Sequence, residues 1–414
     1  MNSKCFPCFV LFWLLSFAFL QDDVRGQRQE APPPRPAARS SPAPDPVAFD
    51  QLNRQAEQAR EKGELAAAIQ IYHQLVKMRP NWAEGWWYLG SLNYDADQYA
   101  AGASAFEKLL VLDPQNSQAW GLLGLCEYQL KKNTQALKHL TKSRQLGLDR
   151  IPEISRVVRL HQAILLNRSR QFEAALFVLN TFAVENKEAN TVLDAMGMAV
   201  LRISEPLESL YPEQREMIRQ FGQAAYLDAQ QKRQESFQLY GELEARYRGR
   251  PNVAYAYGAA LLVQREPEKA LAYFKQELAR EPNHEAALLQ MALQLIVMGK
   301  FEEGIPYAQK AITVAPGNFA GYYALGRIYL YCDKAPQSLP VLEKAVNLAP
   351  TVATLHYTLS QAYQRVKRPA DAARARAEFE RLTALNKDRR GDLFISSGEP
   401  ASPQPTQPSQ PQNR

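Results

Sequence analysis

The chain is predicted to be all-α, built of stacked helix-turn-helix units. Three observations predict this. One interval separates Pro80 from Pro114, Pro282 from Pro316, and Pro316 from Pro350. Each proline closes a helical pattern, as in VLDP, AREP, TVAP and NLAP, and precedes a new one, as in NWAEGWWYLG and GNFAGYYALG. Aligned on these prolines, aromatic, leucine and small residues fall into a single register. A fixed period of about 34 residues marks a stacked array, because one helix pair cannot bury its apolar face alone.

The composition agrees with a folded chain: 46% of the 414 residues are apolar and 22% charged. Only one stretch is apolar enough to enter a bilayer, which excludes a polytopic membrane protein. That stretch opens the chain. Met1–Gly26 reads as a secretory signal, with Lys4 in a positive n-region and Phe9–Leu20 as the apolar h-region. Val24, Arg25 and Gly26 suit cleavage before Gln27. An uncleaved membrane anchor is the alternative, although Cys5–Leu20 falls short of the roughly 20 residues a span needs. Residues 27–48 form a proline-rich, disordered linker containing Pro32, Pro33, Pro34, Pro36, Pro42, Pro44 and Pro46.

The repeats follow. Counting places from the third residue after each proline, Trp86, Trp120 and Tyr322 hold place four, and Leu89, Leu123 and Leu325 place seven. Gly90, Gly124, Gly258 and Gly326 hold place eight, Ala68, Ala136, Ala270 and Ala372 place twenty, and Tyr72, Phe106, Phe274 and Leu342 place twenty-four. Places four to eleven make one helix and seventeen to thirty a second. The small residues let the two cross closely, and proline at place thirty-two ends the second. This order and spacing resembles the tetratricopeptide repeat (TPR) family, with its W-L-G-Y-A-F-A-P consensus. The resemblance covers about Phe49 to Leu385 and implies a right-handed α-solenoid. About ten units fit residues 49–386, with residues 387–414 left as a disordered polar, proline-rich tail.

The pattern weakens at residues 188–216. A first helix is expected near Asn190–Ile203, but Pro206 and Pro212 break the second. Pro212 is expected to open a longer helix running through FGQAAYLDA into the sixth unit. The segment is either a tolerated insertion or a hinge between sub-arrays. Pro306 and Pro340, both at place twenty-two, are expected to kink or fray their helices.

No catalytic constellation is legible. His73, His139, His161, His284 and His356 are widely spaced, and no Walker loop, dinucleotide fingerprint or GxSxG elbow occurs. The chain is therefore read as non-enzymatic, with no cofactor and no metal. Cys5 and Cys8 precede the h-region, where nothing folded tunes a thiolate, and Cys126 and Cys332 read as small core residues too distant to pair. Lys131, Lys132, Lys138 and Arg144 form a basic cluster that could meet nucleic acid. Elsewhere acids and bases intermix, as on a solvated helix surface, and no nucleic acid is expected.

The family resemblance implies a concave groove lined by places two, five, nine, twelve and thirteen. Those places carry Glu84, Trp87, Tyr94, Asp95, Gln118 and Tyr128 in the N-terminal units. They carry Tyr255, Tyr323, Arg327, Tyr331, Tyr357, Gln361 and Arg365 in the C-terminal ones, with Leu262, Val263, Leu289, Leu293, Ile296 and Val297 between. Tyr, Trp and Arg dominate binding hot spots because they bury large area at low entropic cost. Such a groove suits an extended peptide or an amphipathic helix. Place nine lacks the Lys/Asn pattern of carboxylate-clamping family members. The expected partner is a protein or peptide, outside the cell or in its envelope. Membrane contact is expected only if the N-terminal segment stays uncleaved. The proline-rich tails are candidate internal ligands.

Overall fold

The computed structural model describes residues 46–396, which form nineteen α-helices and no strand. The first three units pair α1 (Pro46–Glu61) with α2 (Leu65–Met78), α3 (Ala83–Asp95) with α4 (Tyr99–Leu112), and α5 (Ser117–Gln129) with α6 (Asn133–Gln145). The fourth pairs α7 (Pro152–Arg168) with α8 (Phe172–Val184), and the fifth supplies only α9 (Asn190–Val200). Then come α10 (Pro212–Ala229) with α11 (Arg233–Arg246), α12 (Val253–Val263) with α13 (Pro267–Arg280), and α14 (Glu285–Val297) with α15 (Phe301–Val314). The last pairs are α16 (Phe319–Tyr331) with α17 (Ala335–Leu348), and α18 (Ala353–Arg365) with α19 (Pro369–Ser396). The all-α solenoid of helix pairs is the architecture expected. The signal segment, most of the N-terminal linker and the end of the C-terminal tail lie outside the described residues.

The crossing within a unit works as the register implies. A Cβ on Gly90 would lie 2.7 Å from the Phe106 ring, and one on Gly258 the same distance from Phe274. Glycine at place eight thus lets the ring at place twenty-four lie against the first helix. Tyr72, Phe106, Phe274 and Leu342 are all fully buried.

The turn inside each unit is a left-handed cap. Gly63, Asp97 and Lys131 have positive φ and are spaced by one repeat period, as are Gln231, Arg265, Gly299, Asp333 and Lys367. In each, the following N–H reaches back to a carbonyl in the last turn of the helix, as Gln98 to Asn93 (2.8 Å) and Lys334 to Tyr329 (2.8 Å), which satisfies an orphan acceptor. The middle of the chain spends this period unevenly. The step from Lys131 to Arg170 is longer than the period, and those from Arg170 to Arg202 and from Arg202 to Gln231 are shorter. The long step and the two short ones nearly cancel, so the register on either side agrees.

The fifth unit has no second helix. In its place a loop with one 3-10 turn (Leu207–Ser209) runs to Pro212, which opens the 18-residue α10 as expected. Ile203, Leu207 and Leu210 from this loop pack on the core made by Met198, Leu201, Met217 and Phe221. They supply the apolar face the missing helix would have given. Arg215 holds the loop by donating to the carbonyls of Leu210 (2.9 Å) and Glu208 (2.7 Å). Without an intervening helix, α9 and α10 meet backbone to backbone. A Cβ on Gly197 would fall 1.8 Å from the Ile218 carbonyl oxygen, and one on Gly222 the same distance from that of Leu193. Every residue from Val192 to Ala199 is buried.

Two other expectations are revised. Helices α15 and α17 run unbroken through Pro306 and Pro340 rather than fraying. Neither Pro306 nor the residues four before the two prolines, Glu302 and Pro336, is buried, so the carbonyls deprived of a donor lie towards the solvent side. Cys126 is buried, but Cys332 is only half-buried at the end of α16, where its thiol donates to Glu302 at 3.5 Å. Both are free thiols. The chain divides into two compact parts between Gln294 and Leu295, within α14, so the irregular fifth unit lies inside the first of them.

Candidate functional site

In the second part, two first helices present a run of large side chains. Arg327 and Tyr331 stand one turn apart on α16, and Tyr357, Gln361 and Arg365 follow the same spacing on α18. Tyr331 is 48% and Tyr357 38% exposed. Gln361 is also exposed. Phe301 stacks on Tyr331 with centroids 4.8 Å apart and planes 11° from parallel, which fixes the ring in place. The Arg327 guanidinium lies over both Tyr323 (5.6 Å) and Tyr331 (5.7 Å). Arg365 joins the two helices, donating to the Leu330 carbonyl and to Asp333 at 3.0 Å. Tyr357 rests against Phe379 at 5.2 Å. The surface is therefore held in shape before any ligand arrives.

Tyr255 and Tyr323 do not stand on such a surface. They are 6% and 8% exposed, packed among neighbouring helices. Tyr255, at place five, faces the Phe274 ring of its own second helix at 5.8 Å and turns into the core, whereas Tyr357 at the same place of the last unit stays open. Trp87, likewise at place five, is half-buried 6.0 Å from Phe106. Tyr94 is half-buried edge-on to Tyr99 at 5.6 Å. Among the aliphatic positions, Leu293 and Ile296 are buried, while Val297 is 49% exposed. Tyr128 is half-buried and lies at a third location, ringed by His161, Lys131 and Arg168.

A tetratricopeptide repeat family model matches residues 93–147, which span α4 to α6 and the turns around them. The chain thus contains tetratricopeptide repeats. Over 125 residues it is 37% identical to "Cellulose synthase operon protein C" of Xanthomonas axonopodis pv. citri (strain 306), a match covering 29% of this chain and 8% of that protein. The chain thus spans a small fraction of that relative's length. Similar solved structures include MamA residues 41–end of Desulfovibrio magneticus RS-1, at 20% identity, covering 41% of this chain and 96% of that one with a TM-score of 0.38. Another MamA crystal structure has 13% identity, covers 40% and 96%, and has a TM-score of 0.37.

One tie within the TPR array carries no signal in the repeat pattern. Arg202, the left-handed residue after α9, donates to Glu173 of α8 at 2.5 Å and lies over the rings of Phe172 (4.8 Å) and Tyr255 (5.5 Å). A fifth-unit side chain thereby ties the fourth unit to the seventh. Burial pushes the Glu173 carboxyl up, but the charge and hydrogen bond of Arg202 outweigh it and hold it below its ordinary value. Burial raises the Tyr255 hydroxyl to about 12, so it stays protonated. Beside it, His284 caps α14. It accepts the Ala287 N–H at Nδ1 (3.0 Å), and its Nε2–H donates to Asn252 at 2.7 Å. Glu277 accepts the backbone N–H groups of Asn252 (3.0 Å) and Tyr255 (3.2 Å), capping α12. Among the described residues, no group of three or more His, Cys, Asp and Glu could hold a metal ion. No helix among them is long and apolar enough to cross a membrane.

Proposed function

We propose that this TPR-containing protein is a non-enzymatic scaffold that binds a segment of a protein partner across the first helices of its ninth and tenth units. The observation that carries the reading is the pair of side-chain rows on α16 and α18, joined by Arg365. Tyrosine and arginine fixed by stacking and hydrogen bonds lose little further entropy on binding. Their spacing of one turn suits an extended strand or the face of an amphipathic helix. The N-terminal signal pattern favours action in the cell envelope or outside the cell. The similarity to a protein named for a cellulose synthase operon is in keeping with that setting. A second form of the same reading keeps the N-terminal segment as a membrane tether, which an unshifted mass in the native chain would reveal.

The test is photocrosslinking from Tyr331 and Tyr357 in a native envelope fraction, with Lys310 and Glu303 as exposed control positions on a second helix. A protein adduct formed only from the tyrosine positions supports the scaffold and names its partner. Equal adducts from all four positions, or none, would sink the reading.

A further inference from the structure

Positive charge is concentrated in the third and fourth units. Residues 117–172 contain ten Lys and Arg against three Asp and Glu, an excess larger than the +6 of the whole chain. Two of the three acids are already engaged: Glu127 with His139 at 2.7 Å, and Asp149 with Arg144 at 3.3 Å and Ser155 at 2.8 Å. Arg159 is taken by Glu185 at 2.6 Å. Lys131, Lys132, Arg168 and Arg170 take part in none of the ion pairs found among the described residues. All four sit at the turns between first and second helices, on neighbouring units. Lys131 (5.9 Å) and Arg168 (5.5 Å) approach the same ring, that of Tyr128.

A third neighbour of this ring is His161, edge-on at 4.6 Å. Its Nδ1–H donates to the Val157 carbonyl at 2.8 Å. Burial and the Arg168 charge hold the imidazole below its ordinary value, so it is neutral at pH 7. The positive charge here belongs to the lysines and arginines. The equivalent turn of the second unit carries Asp95 and Asp97 instead. The sign of the turn edge reverses between the second unit and the third, which would place an anionic ligand in one register and repel it from the other.

We propose that Tyr128, Lys131 and Arg168 form a docking surface for an acidic protein segment, extended along the turns by Lys132 and Arg170. This rests on the scaffold reading but uses a surface separate from that of the ninth and tenth units. A peptide is favoured over nucleic acid because the Tyr128 ring is already flanked by an imidazole edge and two cations. It offers no open face on which a base could stack. A carboxylate side chain needs only the cations.

The experiment measures fluorescence anisotropy of a labelled oligo-glutamate peptide of about ten residues, long enough to span two adjacent turns, with the full chain. A single-stranded oligonucleotide of equal charge is run beside it. The expected result is peptide binding that weakens steeply as salt is raised. The K131E/R168E double variant should weaken it by about tenfold or more, as reversal of charges at a rim does. Y128A should weaken it less. K310E should leave it unchanged, and circular dichroism should show every variant folded at the assay temperature. Absence of peptide binding would overturn the proposal, as would equal binding by the K131E/R168E variant or tighter binding of the oligonucleotide than of the peptide. Crosslinking from Tyr331 in the K131E/R168E variant separates the two readings: if it persists while the peptide fails, only this inference falls.

Discussion

The indole N–H of Trp86 donates to the carbonyl of Pro80 at 2.8 Å. The same bond recurs between Trp120 and Pro114 (3.0 Å), Tyr322 and Pro316 (3.3 Å), and His356 and Pro350 (2.7 Å). The proline that ends one unit and the side chain at place four of the next are thus a donor–acceptor pair. It closes the connection between units, where helix-end carbonyls lack intrahelical partners. Trp86→Phe keeps a ring but removes the donor. It should cost about 0.5–1.5 kcal/mol, read as a lowered urea midpoint. Leu288 holds the corresponding place after Pro282 and has no side-chain donor, so Leu288→Phe should show no comparable hydrogen-bond loss.

The α9–α10 crossing makes a sharper demand. Gly197→Ala and Gly222→Ala each drive a methyl group into a carbonyl, and backbone cannot swing aside as a side chain can. Each should destabilise by about 1–3 kcal/mol or more. Gly317→Ala, with nothing within 4 Å of the new Cβ, should be near neutral. Thermal melting of the three variants side by side checks this.

Stability should fall in mild acid because of His284. Burial, with the charges of Arg202 and Arg170, lowers its pKa to about 4. In the unfolded chain it titrates near 6.5, as an unperturbed histidine does. Between those values the unfolded state binds more protons, so stability drops as pH falls through that window and levels off below about 4. The full effect is on the order of 3 kcal/mol. Denaturant titrations from pH 7 to 4 should show the slope in the parent and a flatter profile in His284→Gln. The contribution of Glu173 has the opposite type of origin, a lowered carboxyl, and is lost only below its ordinary range.

Arg202→Met should leave Glu173 without its partner and detach the fourth unit from the seventh. A hydrogen bond to a charged group is worth roughly 2 kcal/mol. Hydrogen exchange should rise at the start of α8, in the loop after α9 and at the start of α12, but not in α16 to α19. Uniform change along the chain would count against a local tie.

The two thiols should differ in reactivity. Burial pushes the Cys126 thiol up to about 12, leaving almost no thiolate at pH 7. Cys332 is also raised, first by burial and then by its bond to Glu302, but it is partly accessible. Brief maleimide labelling of the native protein, read by peptide mapping, should modify Cys332 and spare Cys126.

The repeat was legible by itself because its chemistry is local. Proline at place thirty-two removes a donor and glycine at place eight admits the side chain at place twenty-four: the unit of Trp86 carries both with Phe106, that of Tyr322 both with Leu342, and that of Trp120 the glycine with Leu140. The opening of α10 by Pro212 was legible for the same reason. The left-handed caps carry no such mark, because most use Asp, Lys, Arg or Gln instead of glycine and no residue type announces them. Recurrence at the repeat interval was their one available signal.

Tertiary structure alone decided which aromatic residues are available to a ligand. Tyr255 and Tyr331 both stand at places expected to face a partner, yet one is buried against Phe274 and the other is stacked on Phe301 with nearly half its surface open. It also decided that Arg202 would reach Glu173 and Tyr255, which belong to two other units. A periodic sequence specifies how each unit packs on itself, because those contacts repeat. How far a side chain is covered depends on the neighbouring units, and where the period is broken that cover follows from the three-dimensional path of the chain.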